Sequence, residues 1–338
     1  MGRNRHVNIP VFVPHMGCPH ACIFCDQKRI SGSLDPQTPE KARTLLEESF
    51  STVSRDDHVE IAFFGGSFTA IPEKEMISYL EAAKPYIDEG RAEGIRLSTR
   101  PDAIDHHVLS ILRDYGVKVI ELGVQSLDPD VLAKSQRGHS VEDVFAACAL
   151  VREYGFSLGI QTMLGLPGDS LEKSLETARG VIDLKPDMVR IYPALILKGT
   201  LMEELYLDGS YKPLDLDEAV EWCAQVLPLY RKAGITILRI GLQTSGTLEG
   251  SVVAGPYHPA FGELVESRIL LKKMTEEIDR LDISENTRLV IKTRPEYMSR
   301  IIGQNRRNIE QLKKQYGLKD IHVAADSCCG EFSLKILG

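Results

Sequence analysis

At 338 residues, 43% hydrophobic and 26% charged, the chain has the composition of a globular protein with a substantial core, in one large domain or two moderate ones, and not that of a disordered or fibrous one. Its apolar runs, such as "VFV" and "IAFF", fall far short of the ~20 residues a membrane span needs, and "MGRNRHVNIP" lacks the apolar stretch of a signal peptide, so a cytoplasmic protein with no membrane partner is expected. The formal net charge of −8 excludes a chain that coats nucleic acid through its overall field, and seven cysteines, an odd number with three in one cluster, exclude a simple disulfide framework.

From residue 7 to 197, short β-rich apolar runs alternate with segments of helical period, which predicts repeated βα units around a parallel sheet. In chain order, "VNIPVFVP" (7–14) is the first strand and leads into "MGCPHACIFCDQKRI", which carries Cys18, Cys22 and Cys25. A helix over 38–52 and the strand "HVEIAFFGG" (58–66) follow, then a helix over 73–89, the strand "GIRLSTR" (94–100) and a helix over 103–115. "VKVIELGVQS" (117–126), a helix over 141–155, "FSLGIQTMLGLP" (156–167), a helix over 170–184 and "MVRIYPALIL" (188–197) complete six strands, with a further helix over 215–233. Runs this rich in Val, Ile and Leu suit strands buried on both faces, and a barrel or open barrel follows. In such folds the chemistry gathers at the carboxyl ends of the strands, where the three cysteines, "GGS", "QS" and "GLPG" all fall.

Three cysteines within eight positions need a ligand that uses three thiolates. A structural zinc ion takes four ligands, usually from two spaced pairs; His15 or His20 stands near, but no second pair does. Three buried structural thiols would leave the spacing at a loop after a strand unexplained. A [4Fe-4S] cluster normally takes four thiolates, and three leave one iron open to a small molecule such as S-adenosylmethionine.

The spacing Cys-x3-Cys-x2-Cys, with Phe24 before the last cysteine, resembles the signature of the radical SAM enzymes. "FFGGSF" resembles that family's glycine motif, which implies that Gly65, Gly66 and Ser67 receive the methionine part of the cofactor. "STRPD" (98–102), "IELGVQSLDPDVLAKSQRGHS" (120–140) and "RIYPALILKGTLMEELYLDGSYKPL" (190–214) are similar to the radical SAM domain of the Elongator catalytic subunit, which modifies wobble uridine in tRNA. Oxygen-independent coproporphyrinogen oxidase is a more distant relative. The resemblance, from residue 7 to about 245, implies a [4Fe-4S] cluster on Cys18, Cys22 and Cys25 as the catalytic centre, and one-electron cleavage of S-adenosylmethionine to a 5′-deoxyadenosyl radical. It implies also that Gln125 and Arg137 hold the cofactor's ribose and carboxylate with Gln161 nearby, and that a flavodoxin or ferredoxin donates the electron. Two departures stand out: an acid common before "TRPD" is Ser98 here, and the Elongator subunit's acetyltransferase domain has no counterpart in 338 residues.

After "ITILRIGLQ" (235–243), the stretch 246–284 is expected to be a linker plus a helix covering the barrel mouth. Residues 285–338 read as strand, short helix, tight turn, helix, strand and strand, and the segment from Asn286 to Asp320 holds nine Lys or Arg against three acids. "SRIIGQNRRNIEQLKKQYG" resembles the backbone-clamping loop of KH domains, with Arg306 at the second glycine, and this implies RNA contacts from Lys292, Arg300, Arg306, Arg307 and Lys313. The bland alternative is a solvated basic face. Cys328 and Cys329 could serve a second cluster or redox chemistry, but neighbours on a strand would put one thiol in and one out; Cys148 and Cys223 read as core.

The expected protein is therefore a partial (β/α)6 radical SAM barrel (1–245) with a small α+β, KH-like appendage, acting on tRNA or another RNA. A radical enzyme acting on a small metabolite or tetrapyrrole, or an RNA-binding iron–sulfur protein without turnover, is the competing reading.

Overall fold

A computed structural model describes residues 5–13, 22–26, 38–243, 246–281, 283 and 286–337. The chain divides into two compact units, residues 1–215 with 229–257, and residues 216–228 with 258–338. Among the described residues, no helix is long and apolar enough to cross a membrane.

The first unit is built on β1 (His6–Val13), followed by α1 (Pro39–Thr52), β2 (His58–Gly65), α2 (Glu73–Asp88), β3 (Gly94–Thr99), α3 (His106–Asp114) and β4 (Val117–Gln125). Then come α4 (Pro129–Lys134), α5 (Val141–Glu153), β5 (Ser157–Leu164), α6 (Leu171–Asp183), β6 (Met188–Pro193), β7 (Ile196–Leu197) and α7 (Leu201–Leu207). The helix α8 (Leu216–Lys232) leads into β8 (Thr236–Ile240), a short helix α9 (Gly246–Glu249) and β9 (Val252–Ala254). Seven strands pair in the order β1-β2-β3-β4-β5-β6-β8, all parallel, and the sheet curls into a half-barrel.

Six strands were expected and seven are present. The seventh, "TILRI", is an edge strand whose residues are mostly half-buried, so it lacks the continuous apolar run that marks its neighbours. The expected strand 188–197 also breaks at Pro193, which has no N–H to donate; Ala194 N instead bonds Leu164 O at 2.9 Å, and β7 pairs antiparallel with β9.

Side-chain caps set most helix starts. Thr38, Asp105, Asp128, Ser170 and Thr200 each accept from a backbone N–H of the first turn, and Ser140 with Asp143 forms a full capping box. Between sheet and helices, Phe63, Phe68, Tyr79, Leu80, Ile95, Leu97 and Leu109 are fully buried, and Phe63 stacks on Phe68 with centroids 4.6 Å apart.

The second unit contains α10 (Phe261–Ile278), β10 (Arg288–Thr293), α11 (Met298–Ile302), α12 (Arg307–Tyr316), β11 (Asp320–Ala325) and β12 (Phe332–Leu337). Its sheet runs β11-β10-β12, with β10 parallel to β11 and antiparallel to β12. The stretch 246–284 is thus divided between the units. From α10, Leu270, Leu271, Met274 and Ile278 join Leu289, Ile291, Ile301, Ile309, Leu312 and Ile321 in a single core.

The turn from α11 to α12 depends on unusual backbone. Gly303 has φ 74°, and a Cβ there would come within 2.9 Å of the Asn308 side chain, which is buried and bonds Ser267 Oγ at 2.9 Å and Arg300 O at 3.0 Å. Asn305 and Arg306 also sit in the left-handed region, at φ 52° and 62°. An arginine in that region costs roughly 1 kcal/mol that glycine does not. Arg306→Gly is accordingly expected to raise stability by up to about 1 kcal/mol, seen as a higher urea midpoint at unchanged slope; a lower midpoint would mean that the arginine side chain contributes more than the strain it imposes.

Candidate active site at the mouth of the half-barrel

The carboxyl ends of the strands meet around a cavity of about 500 Å³. Phe12 of β1, Phe64 and Gly65 of β2, Ser98 of β3, Gln125 of β4, Gln161 and Met163 of β5, Arg190 and Tyr192 of β6 and Arg239 of β8 line it, with Phe24 and Cys25 on its wall. Period-two alternation brings these residues onto one face of a parallel sheet.

Cys22 and Cys25 share one tight turn, closed by Cys25 N donating to Cys22 O at 3.0 Å. The turn is anchored apolarly: Ile23 and Phe24 pack with Val131, Leu166, Ala194, Ile196 and Met202, and Met202 N bonds Ile23 O at 2.9 Å. Cys18 lies outside the described residues.

Arg137 was expected on a cofactor carboxylate. In the structure its buried guanidinium donates to Cys22 Sγ at 3.0 Å and to the Gly123 carbonyl, and the Arg137 carbonyl in turn accepts from Arg100.

Gly65 and Gln125 carry the backbone signature of a site. Gly65 has φ 107°, and a Cβ there would stand 2.8 Å from Val13 O, so only glycine fits the strand edge. Gly66 N donates to the same carbonyl at 3.3 Å, and Ser67 beside it is buried. Gln125 has φ 69° where β4 slips register against β5 between Gly123 and Gln125. A non-glycine residue with positive φ at a bulge is strained and is found where structure serves a ligand. Its Oε1 is buried on the cavity side with no hydrogen-bond partner among the described residues, an acceptor that a ligand hydroxyl or amine would satisfy.

Under the mouth runs a buried ion network that the sequence reading passed over. Glu121, fully buried, receives Arg190 Nε at 2.6 Å and Nη2 at 3.0 Å, Arg96 Nη1 at 3.1 Å and Gln161 Nε2 at 3.2 Å. Arg96 Nε continues to Glu60 at 3.0 Å and Glu60 to His6 at 3.0 Å, while Gln161 also bonds Ser98 Oγ at 3.2 Å. Gly159 makes room for this, since a Cβ there would meet Glu121 Cγ at 2.7 Å. Burial alone would lower the Arg190 pKa, but the Glu121 carboxylate outweighs it and holds the guanidinium above its ordinary value. Burial raises Tyr192, which therefore stays a neutral donor. The signal was available: Arg96, Glu121 and Arg190 are charges in the middle of otherwise apolar strands, where a charge survives only when paired.

Close to this site, His139 is 5% exposed, and burial, aided by the charge of Arg137, pulls its pKa from 6.5 down to about 4. The folded chain holds it neutral while the unfolded chain takes up a proton near pH 6.5. The stability this gives is complete above pH 6.5 and is lost as pH falls through about 4, at most about 3 kcal/mol from the shift. His139→Gln is expected to flatten the fall in urea midpoint between pH 7 and pH 4.5; an unchanged slope would assign the acid lability to other groups.

In the second unit, three of the cations expected to face RNA are already paired. Arg300 forks onto Glu263 at 2.7 and 2.9 Å, Arg307 forks onto Asp217 at 2.7 and 2.8 Å, and Lys292 meets Asp326 at 3.3 Å. Arg306 and Lys313 make no ion pair among the described residues, and Arg306 is exposed on the turn. Cys328 and Cys329 lie in the turn between β11 and β12 and not on a strand; Cys328 is exposed and Cys329 partly so, its Sγ 3.2 Å from Asp326 O. Cys148 and Cys223 are both buried in helices, as expected, and burial pushes the Cys148 thiol up to about 12.

Comparison with known proteins bears on this geometry. A family profile described as "Radical SAM superfamily" matches residues 12–181, and one described as "Radical_SAM C-terminal domain" matches residues 186–270. The chain is 29% identical over 239 residues to a tRNA uridine(34) acetyltransferase of Dehalococcoides mccartyi, covering 61% of this chain and 52% of that protein. It is 31% identical over 266 residues to Elongator complex protein 3 of Homo sapiens, covering 64% and 48%. The chain thus spans about half the length of the curated relatives it matches. Among solved structures, an N-terminally truncated Elp3 of the archaeon Methanocaldococcus infernus superposes with a TM-score of 0.62 at 25% identity, over 81% of this chain and 63% of that one.

Proposed function

The chain belongs to the radical SAM superfamily, an enzyme family whose cofactors are S-adenosylmethionine and a [4Fe-4S] cluster, and from that premise we propose that it modifies tRNA. When bound, this cofactor pair supplies one-electron cleavage of S-adenosylmethionine and abstraction of a substrate hydrogen atom. The residues present fit it. Cys22 and Cys25 share a turn at the cavity, Arg137 Nη1 stands 3.0 Å from Cys22 Sγ, Gly65 leaves room for close approach, and the unpartnered Gln125 Oε1 awaits a donor. Cys18, Cys22 and Cys25 would hold the cluster, with Phe24 shielding it; Gly65, Gly66, Ser67 and Gln125 would hold S-adenosylmethionine. Gln161, held by Glu121 and Ser98 on the cavity wall, would stand near it.

The observation that carries the substrate is the similarity, across the barrel, to proteins named for tRNA uridine 34 and for the Elongator complex. The basic second unit supports it in a narrower way than its charge count suggests. Phosphate would meet Arg306 and Lys313 first, and would have to displace carboxylates to reach Arg300, Arg307 or Lys292. A flavodoxin or ferredoxin is the fitting electron donor.

The test is anaerobic reconstitution, reduction and addition of S-adenosylmethionine with and without bulk tRNA, followed by nucleoside mass spectrometry. Stimulated 5′-deoxyadenosine formation with a new nucleoside mass is expected. Cleavage indifferent to tRNA, with no new mass, would leave the radical chemistry and remove RNA as its substrate.

A further inference from the structure

The strands send three arginines and two glutamates toward the cavity side of the sheet. Four of them neutralise one another: Arg96 bridges Glu60 at 3.0 Å and Glu121 at 3.1 Å, and Arg190 forks onto Glu121. Arg239 is left over. It stands in register with Arg190 on the edge strand β8, is half-buried, and makes no hydrogen bond or ion pair among the described residues. The described residues lining the cavity include two arginines and no aspartate or glutamate. A half-buried guanidinium on a cavity that Met163, Leu195, Leu197 and Leu242 also line, with no counterion among the described residues, is unfavourable until an anion arrives. Tyr192, kept neutral by burial, is a hydroxyl donor on the adjacent strand, and its ionisation is sensitive to the Arg239 charge, so the two groups share one region.

We propose that Arg239, with Tyr192 beside it, is an oxyanion subsite that holds a phosphate of the substrate nucleotide at the β8 side of the cavity. Gly65, which the cofactor's methionine would approach, belongs to β2 near one end of the strand order and Arg239 to β8 at the other, while the Phe24–Cys25 turn packs against Ala194 and Ile196 after β6. A planar fork suits two phosphate oxygens, and Arg190 is unavailable for that work because Glu121 holds it. The choice of phosphate rests on the reading that the substrate is RNA; the oxyanion subsite itself rests on the unmatched charge.

The experiment uses reconstituted holoenzyme and three probes by calorimetry: uridine 5′-monophosphate, uridine and inorganic phosphate, on wild type, Arg239→Gln and Arg239→Lys. Wild type is expected to bind the monophosphate at least about tenfold more tightly than uridine, Arg239→Gln to lose that advantage, and Arg239→Lys to keep most of it. S-adenosylmethionine affinity in Arg239→Gln is expected to stay within about twofold of wild type. Equal monophosphate binding by wild type and Arg239→Gln would overturn the subsite. So would a loss that falls on S-adenosylmethionine alone, which would give Arg239 to the cofactor's own carboxylate. Inorganic phosphate bound through Arg239, in an enzyme whose cleavage tRNA leaves unstimulated, would uphold the oxyanion subsite while overturning RNA as the substrate.

Discussion

Cys22→Ala brings 5′-deoxyadenosine formation down to that of iron-free protein, a loss of at least about a thousandfold, which corresponds to about 4 kcal/mol or more of lost barrier lowering. Cys22 is the cysteine whose environment is best defined: 7% exposed, one residue from the buried Ile23, with Arg137 Nη1 3.0 Å from its sulfur. The guanidinium is itself fixed by the Gly123 carbonyl, so the sulfur meets a positive charge that cannot turn away. Removing one sulfur atom from a turn held by Ile23, Phe24 and Met202 leaves the fold in place, and the far-ultraviolet spectrum and thermal midpoint are expected to match wild type within a few degrees. Cys328→Ala is the control, because that thiol is exposed in the second unit; it should retain both iron and cleavage. Cleavage that survives in Cys22→Ala, or in protein free of iron, ends the assignment of the cluster to this turn.

Glu121→Gln destabilises the chain by about 3–5 kcal/mol, the range for removing one member of a buried charge network. The carboxylate is fully buried and accepts from Arg190, Arg96 and Gln161, so the amide would keep the shape, lose the charge, and turn an N–H₂ group toward donors. Arg96 would keep Glu60, and Arg190, left without its carboxylate, would press its charge on the cavity beside Phe64, which it now covers at 5.5 Å. A lower urea midpoint at unchanged slope reads the effect. Glu121→Leu combined with Arg190→Met is expected to cost less than the sum of the two single changes, since the pair leaves together. A loss under about 1 kcal/mol in Glu121→Gln would mean that water reaches the network and screens it.

Several features were legible in the residues alone for a common reason: they are local. Parallel strands buried on both faces must be apolar throughout, so β1 to β6 could be read from runs of Val, Ile, Leu and Phe. The helix expected from 141 starts there, after Ser140, whereas the one expected from 103 starts at His106, where Asp105 caps it. The three cysteines and Phe24 identify the cofactor chemistry because few ligands use three thiolates at that spacing. Even the second unit's strand–helix–turn–helix–strand–strand order could be read from its turn, where Gly303 has to be glycine.

Tertiary structure decided the partners. Nothing in the spacing of Glu60, Arg96, Glu121 and Arg190 says that four strands set them level in one network, because that depends on the register of each parallel pair. The sequence likewise shows nine basic residues between Asn286 and Asp320 but not that Arg300 and Arg307 are already held by Glu263 and Asp217, 37 and 90 residues away. That Arg137, an expected cofactor ligand, also meets Cys22, 115 residues back, was hidden in the sequence for the same reason. By itself the sequence determined most of the elements of the sheet, which ends of the strands carry chemistry and which cofactors that chemistry takes, since periodicity and motif spacing act within a few turns of chain. Which charges are neutralised and which, like Arg239, remain open to a ligand was decided only when the strands paired, because Coulomb and hydrogen-bond energies depend on distance in space and on burial, and neither is written along the chain.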